Sequence, residues 1–290
     1  MKKHVHYLMS GDAHAPYLLV SLASLRQHFD GEVTVHAWAE SYDVISRIAE
    51  DKNLRIRVLG RNPAYRGKND QFLDKIRLMR SQDPQSANLY LDADTIIANP
   101  IDFLFEALSV GGGFVATQFA DWTTAGSIIR RRVERLRAFP TIDSWFVQET
   151  LNNIWPSVNG GVFASVANSP VLETWEKLTA VVARDVFIAD ETVLHILQPM
   201  FVPNHMIVAL GGKFNCSPKH KPSGLPDDAV AIWHGHGDSF LRPEKSQKGF
   251  DLWWPKFVQC CDGNTGYVHS WLSAINYKWL NQARSRIQCG

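Results

Sequence analysis

Up to Asp94 the sequence alternates short apolar runs with longer stretches whose apolar residues recur at helical spacing, and this alternation constrains the fold more than any other feature. "HVHYLMS" (4–10) precedes a periodic stretch from Ala15 to Phe29, "VTVHAWA" (33–39) precedes Val44 to Ala49, "LRIRVLG" (54–60) precedes Phe72 to Met79, and "ANLYLDAD" (87–94) follows. Short β-rich runs read as strands and the periodic stretches as helices. A βαβα order predicts an α/β fold, Rossmann-like, with a mostly parallel sheet flanked by helices on both faces. Such sheets bind ligands beyond the carboxyl ends of their strands. Ser10, Gly11 and Asp12 end the first strand and Asp92 and Asp94 the fourth, so both sets are expected on one rim.

The second half is less regular. "GFVATQF" (113–119) reads as a strand and "GSIIRRRVERLRAF" (126–139) as a basic helix with a solvated charged face. "PSVNGGVFASV" (156–166) reads as strand or hairpin, "SPVLETWEKLTAVVARD" and "ADETVLHIL" as helices, and "AVAIWHGHG" (229–237) as a strand ending in glycines and histidines. Without repeats or low-complexity linkers, the simplest division is one domain over 1–249 and an aromatic, helical extension over 250–290 that packs on it.

The charge balance of 30 basic against 29 acidic residues gives no reason to expect a nucleic-acid partner. No apolar run is long enough to span a membrane, and "MKKHVHYLMSGDAHAP" lacks a signal-peptide core. Cys216, Cys260, Cys261 and Cys289 have no zinc spacing and read as reduced thiols, which fits a cytoplasmic protein.

Five places carry residues suited to chemistry. Asp92 and Asp94 stand two apart at the end of an apolar strand, which on an extended chain puts both carboxylates on one face. Like charges that close repel unless a cation joins them, and oxygen ligands suit Mg²⁺ or Mn²⁺ bridging a diphosphate, although capping of nearby amides also explains the pair. His234 and His236 lie at another strand end, and an imidazole added to the aspartates favours Mn²⁺. Together with Asp238 they also begin the H-x-H-x-D pattern of binuclear metal hydrolases, but Ser239 stands where the pattern's last histidine belongs. Asn159, before Gly160 and Gly161, is either a hairpin turn or a carboxamide for a hydroxyl-rich ligand beside bare backbone. Asp190 and Glu191 open a helix, where acids suit the dipole; otherwise one orients a ligand and the other faces a reacting carbon. Lys75, on the helix before the acid-tipped strand, is within reach of a phosphate or a carboxylate.

Taken in order, "SGDAHAPYLLVSLASLRQH", the Lys75 helix, "YLDADTII", "VNGGVF", "ADETVL", "KFN" (213–215) and "IWHGHG" resemble family 8 of the retaining glycosyltransferases, over about residues 4 to 243. The resemblance implies a GT-A fold (a nucleotide-diphospho-sugar transferase fold), a UDP-sugar donor, and Mn²⁺, or alternatively Mg²⁺, held by Asp92, Asp94 and His234, with His236 as second choice. It matches Ser10 and Asp12 to positions near the nucleoside, Lys75 and Asn159 to donor contacts with Gly160 beside them, and Gly237 to the glycine of an H-x-x-G pattern. Asp190 then holds sugar hydroxyls. Glu191 departs from the family's glutamine, so a carboxylate nucleophile and double displacement come into question. The family's lysine-proline after H-x-x-G is replaced by Arg242-Pro243 two positions late, with Arg242 as the substitute cation for the diphosphate.

The expected activity is transfer of a hexose, glucose or galactose, to a glycan or lipid-linked acceptor such as a lipopolysaccharide core. The competing readings are a catalytically idle nucleotide-sugar binder and the binuclear hydrolase. Trp122, Trp145, Phe146 and Trp155 are candidates for stacking on an acceptor sugar. From Val268 onward Trp271, Leu272, Ile275 and Trp279 recur at helical spacing beside Lys278, Arg284 and Arg286, a stripe that docks on the domain or makes a peripheral contact with the inner face of the membrane.

Overall fold

The structure, a computed structural model, describes residues 1–62, 69–236, 239–240 and 242–261. Its strands are β1 Lys2–Met9, β2 Glu32–Trp38, β3 Arg57–Arg61, β4 Ser86–Leu91, β5 Thr95–Ile97, β6 Phe114–Gln118, β7 Val158–Ser165, β8 Val208–Leu210 and β9 Ile232–His234. The α-helices are α1 Ala15–Arg26, α2 Ala39–Ala49, α3 Asp70–Arg80, α4 Asp102–Glu106, α5 Trp122–Glu134, α6 Ser144–Asn152, α7 Pro170–Val182, α8 Ala189–Phe201 and α9 Gln247–Cys261. Seven strands form one sheet in the order β3-β2-β1-β4-β7-β6-β8. Pairings are parallel except where β7 lies antiparallel between β4 and β6. The α/β reading of the sequence therefore holds, with one reversed strand that the alternation did not foretell.

Strand periodicity divides the core into two faces. Val5, Tyr7, Met9, Val33, Val35, Leu89 and Leu91 point toward α1, α2 and α4. Leu8, Trp38, Tyr90, Phe114 and Phe163 point the other way, toward α3, α5, α7 and α8. A third cluster, in which Tyr17 and Val20 of α1 meet Ile96, Trp233, Trp253 and Phe257, seats α9 and the small β5–β9 sheet on the domain. Beyond α9 the proposed docking or membrane stripe, with Trp271 and Trp279, lies outside the described residues. Among the described residues no helix is long and apolar enough to cross a membrane.

One open alternative is decided for the strand, and one local expectation is corrected. "VNGGVF" does not turn: Asn159, Gly160 and Gly161 all lie inside β7. Asp92 and Asp94 are not alternate residues of an extended strand, because β4 stops at Leu91 and the chain turns through residues 92–94 before β5.

Three histidines are buried together along the adjacent strands β1 and β2, His4 and His6 on the first and His36 on the second. His6 Nδ1 lies 3.3 Å from His36 Nε2, His6 Nε2 3.0 Å from Asn88 Oδ1, and His4 Nε2 2.9 Å from Thr34 Oγ1. Burial, followed by His4, pushes the His6 imidazole far below its ordinary range, and burial with Arg61 pushes His36 down to about 3. The His36 imidazole thus holds less proton in the folded chain than in the unfolded one between about pH 3 and pH 6.5. The contribution of His36 to stability is complete above pH 6.5 and is lost as pH falls toward 3, at about 1.4 kcal/mol per pH unit. Urea midpoints at pH 7 and pH 5 are expected to differ by less in His36→Gln than in the unaltered protein; an equal drop in both contradicts this.

Candidate active site

The carboxyl ends of β1 and β4 open on a cleft of about 240 Å³ lined by Ser10, His14, Gln71, Phe72, Lys75, Tyr90, Asp92 and Asp94, among others. Parallel pairing of β1 with β4 puts the ends of both strands on this rim, as the sequence order required. His234 comes from far along the chain through the antiparallel β5–β9 pair, in which it sits opposite Thr95, and Gly235 N–H donates to Asp94 O at 2.7 Å. This pairing delivers His234 Nε2 to 3.2 Å from Asp94 Oδ1 and 3.6 Å from Asp92 Oδ2. One ligand atom from each of the three lies within 4.8 Å of the others.

Two carboxylate oxygens and one imidazole nitrogen, with the imidazole buried and the acids half-buried at the cleft, form a donor set for a small divalent cation. Burial pushes the Asp92 carboxyl up, against the pull of Lys75 and His234. Burial also works to raise Asp94, but His234 beside it holds that carboxyl well below the usual range. For His234, burial acts downward and is outweighed by Asp94 and Asp92, so the imidazole is raised. Without a cation, the protonated form of the imidazole satisfies the two carboxylates from Nε2.

The second pole of the site is ionic. Lys75 of α3 is buried and pairs with Asp190 of α8, and Arg132 of α5 pairs with Glu191. Burial opposes the charged Lys75, but Asp190 and Asp92 more than compensate, and its pKa is raised. Burial is also the largest influence on Glu191 and raises it, with Arg132 pulling the other way. Glu191 receives a donor on each oxygen: Arg132 on Oε1, and Asn159 Nδ2 at 2.8 Å on Oε2. Asp190 Oδ2 faces Lys75, whereas Asp190 Oδ1 is buried with no hydrogen-bond partner. Asp92, Asp94, Asp190 and Glu191 against Lys75 and Arg132 leave two negative charges when His234 is neutral, the balance a divalent cation would complete.

β7 is the floor between the poles. Its register with β6 jumps from Ala116 opposite Phe163 to Thr117 opposite Asn159, so Gly160, Gly161 and Val162 form a bulge. A Cβ at Gly160 would lie 2.7 Å from Asp190 Oδ2 and 3.0 Å from Lys75 Nζ; one at Gly161 would lie 2.1 Å from His234 Cε1 and 2.5 Å from Asp92 Oδ2. The glycines therefore make room for the site's own side chains, a different use from the ligand approach expected from the sequence.

Other expected residues are placed less centrally. Ser10 lines the cleft, while Asp12 is exposed, its carboxyl pushed up by partial desolvation and by Glu40 and Asp43. The His236 ring lies 3.8 Å from the His234 ring, tilted by 42° against it, but does not join the ligand cluster. Arg242 is half-buried, its carbonyl capping Lys245 and Ser246. Gly237 and Asp238 lie outside the described residues.

Arg132 and Tyr90 were not singled out from the sequence. Arg132 belongs to a run that reads as a solvated face, yet it flanks the buried stripe of Ile129, Val133 and Leu136, a position that the helical period does reveal. Tyr90, whose hydroxyl donates to Asp92 Oδ1 at 2.9 Å, looked like core.

No protein-family profile and no curated protein sequence matches the chain. Solved structures do. The galactosyltransferase LgtC, in complex with donor and acceptor sugar analogues, superposes with a TM-score of 0.59 at 16% identity over 88% of this chain and 95% of that one. Mouse xyloside xylosyltransferase 1 in its apo form gives 0.55 at 14% identity, over 82% of this chain and 99% of that one. The bifunctional glycosyltransferase WbbM in its apo form gives 0.58 at 14% identity, over 88% of this chain but 49% of that one. At such identities the likeness is one of fold, and the fold of this chain is the GT-A fold of nucleotide-sugar glycosyltransferases.

Proposed function

We propose that the chain is a retaining, metal-dependent hexosyltransferase that moves glucose or galactose from a UDP-sugar to a glycan or lipid-linked acceptor. The observation that carries this reading is the convergence of His234 with Asp92 and Asp94, which line the cleft together with Lys75, and the ion pairs of Asp190 with Lys75 and of Glu191 with Arg132 beside them. An isolated acid pair has many explanations. A cation set next to a buried lysine and two further carboxylates, on this fold, suits departure of a diphosphate from a sugar.

Asp92, Asp94 and His234 would hold Mn²⁺, or Mg²⁺ in second place, which supplies charge neutralisation for a leaving diphosphate. Lys75 reaches the same cleft and adds positive charge there, and Arg242 is proposed to supply more from the following turn. Asp190 Oδ1, buried and without a partner, is suited to accept a hydroxyl of the donor sugar. Glu191 is occupied on both oxygens, and in this reading it fixes Asn159 and Arg132 rather than attacking carbon. Glu191→Gln is then expected to keep at least a tenth of the turnover, whereas a nucleophilic role predicts a loss of about a thousandfold or more.

Calorimetric titration with UDP tests the reading without an acceptor. Binding that requires Mn²⁺ is expected. Failure of UDP to bind in the presence of Mn²⁺ would remove the UDP-sugar from the proposal.

A further inference from the structure

We infer that Asn215 is a positioning residue for the cation site, holding His234 in the tautomer that turns an Nε2 lone pair toward Asp92 and Asp94. The inference rests on the proposed cation site and adds to it a residue outside the ligand set.

Gly161 N–H is a backbone donor, and it lies 2.7 Å from the side-chain oxygen of Asn159. Turning the Asn159 amide over would set an NH₂ against that N–H, two donors face to face in a buried bulge. Asn159 must therefore present Oδ1 to Gly161, which sends its Nδ2 to Glu191 Oε2. The same Oδ1 lies 3.3 Å from the amide of Asn215, so the Asn215 atom facing it has to be the donor, Nδ2. A second contact agrees. Thr117 Oγ1 gives its proton to Val162 O at 2.6 Å and can only accept from Asn215 Nδ2, 3.0 Å away.

With Nδ2 committed to two acceptors, Asn215 turns Oδ1 to His234 Nδ1 at 2.7 Å. Because an amide oxygen only accepts, the proton must be on Nδ1. In a neutral imidazole the lone pair is then on Nε2, the atom between the two carboxylates. The tautomer is thus dictated by one backbone N–H through two buried amides. Asn215 and Asn159 are fully and nine-tenths buried, so water does not compete for these bonds. The residues that order the ligand lie in three separate parts of the chain, Thr117 on β6, Asn159 and Gly161 on β7, and Asn215 shortly after β8.

The test reads metal and tautomer separately. Calorimetry with Mn²⁺ alone is expected to show a 10- to 100-fold weaker affinity for Asn215→Leu, the range seen when a partner orienting a metal-bound histidine is removed. Asn215→Asp, which keeps an acceptor against Nδ1, is expected to stay within about tenfold of the unaltered protein. Imidazole ¹⁵N shifts at pH 9 without metal, assigned with His234→Gln, are expected to show Nδ1–H in the unaltered protein and in Asn215→Asp, and a mixture of tautomers in Asn215→Leu. Unchanged Mn²⁺ affinity in a folded Asn215→Leu overturns the inference. So does an Nε2–H tautomer in the unaltered protein, a result that does not depend on any variant folding. If Mn²⁺ fails to bind the unaltered protein, the proposed cation site fails, and with it the inference for Asn215.

Discussion

Replacing Asp92 with Asn is expected to lower metal-dependent UDP release by about a thousandfold or more, equivalent to about 4 kcal/mol of lost transition-state stabilisation, while the protein stays folded. The size follows from position. Asp92 is the one acid that faces the His234 imidazole, the Tyr90 hydroxyl and the cleft shared with Lys75. The fold is spared because asparagine keeps the shape and can still accept from Tyr90, and because the bond from Asp92 N–H to Gly161 O at 2.7 Å is backbone only. Neutralising a carboxylate beside Asp94 also relieves repulsion when no cation is present, so the melting temperature is expected to hold or rise slightly. Retained turnover in Asp92→Asn would take the acid pair out of the chemistry.

Gly161→Ala is expected to weaken Mn²⁺ binding and turnover by at least about a hundredfold through a single methyl group. Its Cβ would occupy space 2.1 Å from His234 Cε1 and 2.5 Å from Asp92 Oδ2, distances that non-bonded carbon–carbon and carbon–oxygen pairs do not tolerate. Two of the three ligands must move, and cation binding depends on their mutual geometry more than the fold does. The stability cost is expected at about 1–3 kcal/mol, typical of overpacking. Gly211→Ala is the matching control: nothing lies within 4 Å of its Cβ and its backbone is extended, so it is expected to be neutral. Normal Mn²⁺ affinity in Gly161→Ala would show that His234 and Asp92 do not act together.

What was legible in the sequence was local. The strand–helix alternation gave β1 to β4 and the helices between them, because apolar periodicity is a property of adjacent residues. The Asp92–Asp94 pair could be picked out for the same reason, although a turn rather than a pleat brings the two together. What was hidden depended on contacts between distant segments. Lys75 and Asp190 were both noted, but nothing local tells that they pair. Arg132 was lost in a basic run because only the tertiary fold sets its flank of α5 against Glu191. Asn-Gly-Gly looked as much like a turn as a site, since the reason for two bare residues is the presence of His234, Asp92, Asp190 and Lys75 above them. The reversal of β7 between β4 and β6 likewise has no signature in a strand buried on both sides.

Cleavage of the bond between a sugar and a nucleoside diphosphate is the activity proposed for this cleft. Its most direct test is UDP release by the purified protein from a panel of UDP-sugars, with and without Mn²⁺, in the absence of any acceptor. The account predicts slow release from one hexose donor, UDP-glucose or UDP-galactose, that requires Mn²⁺ and disappears in Asp92→Asn. Binding of UDP-sugars with no release from any of them, in the presence of Mn²⁺ and of glycan acceptors, would contradict it and leave a nucleotide-sugar binder on a transferase fold.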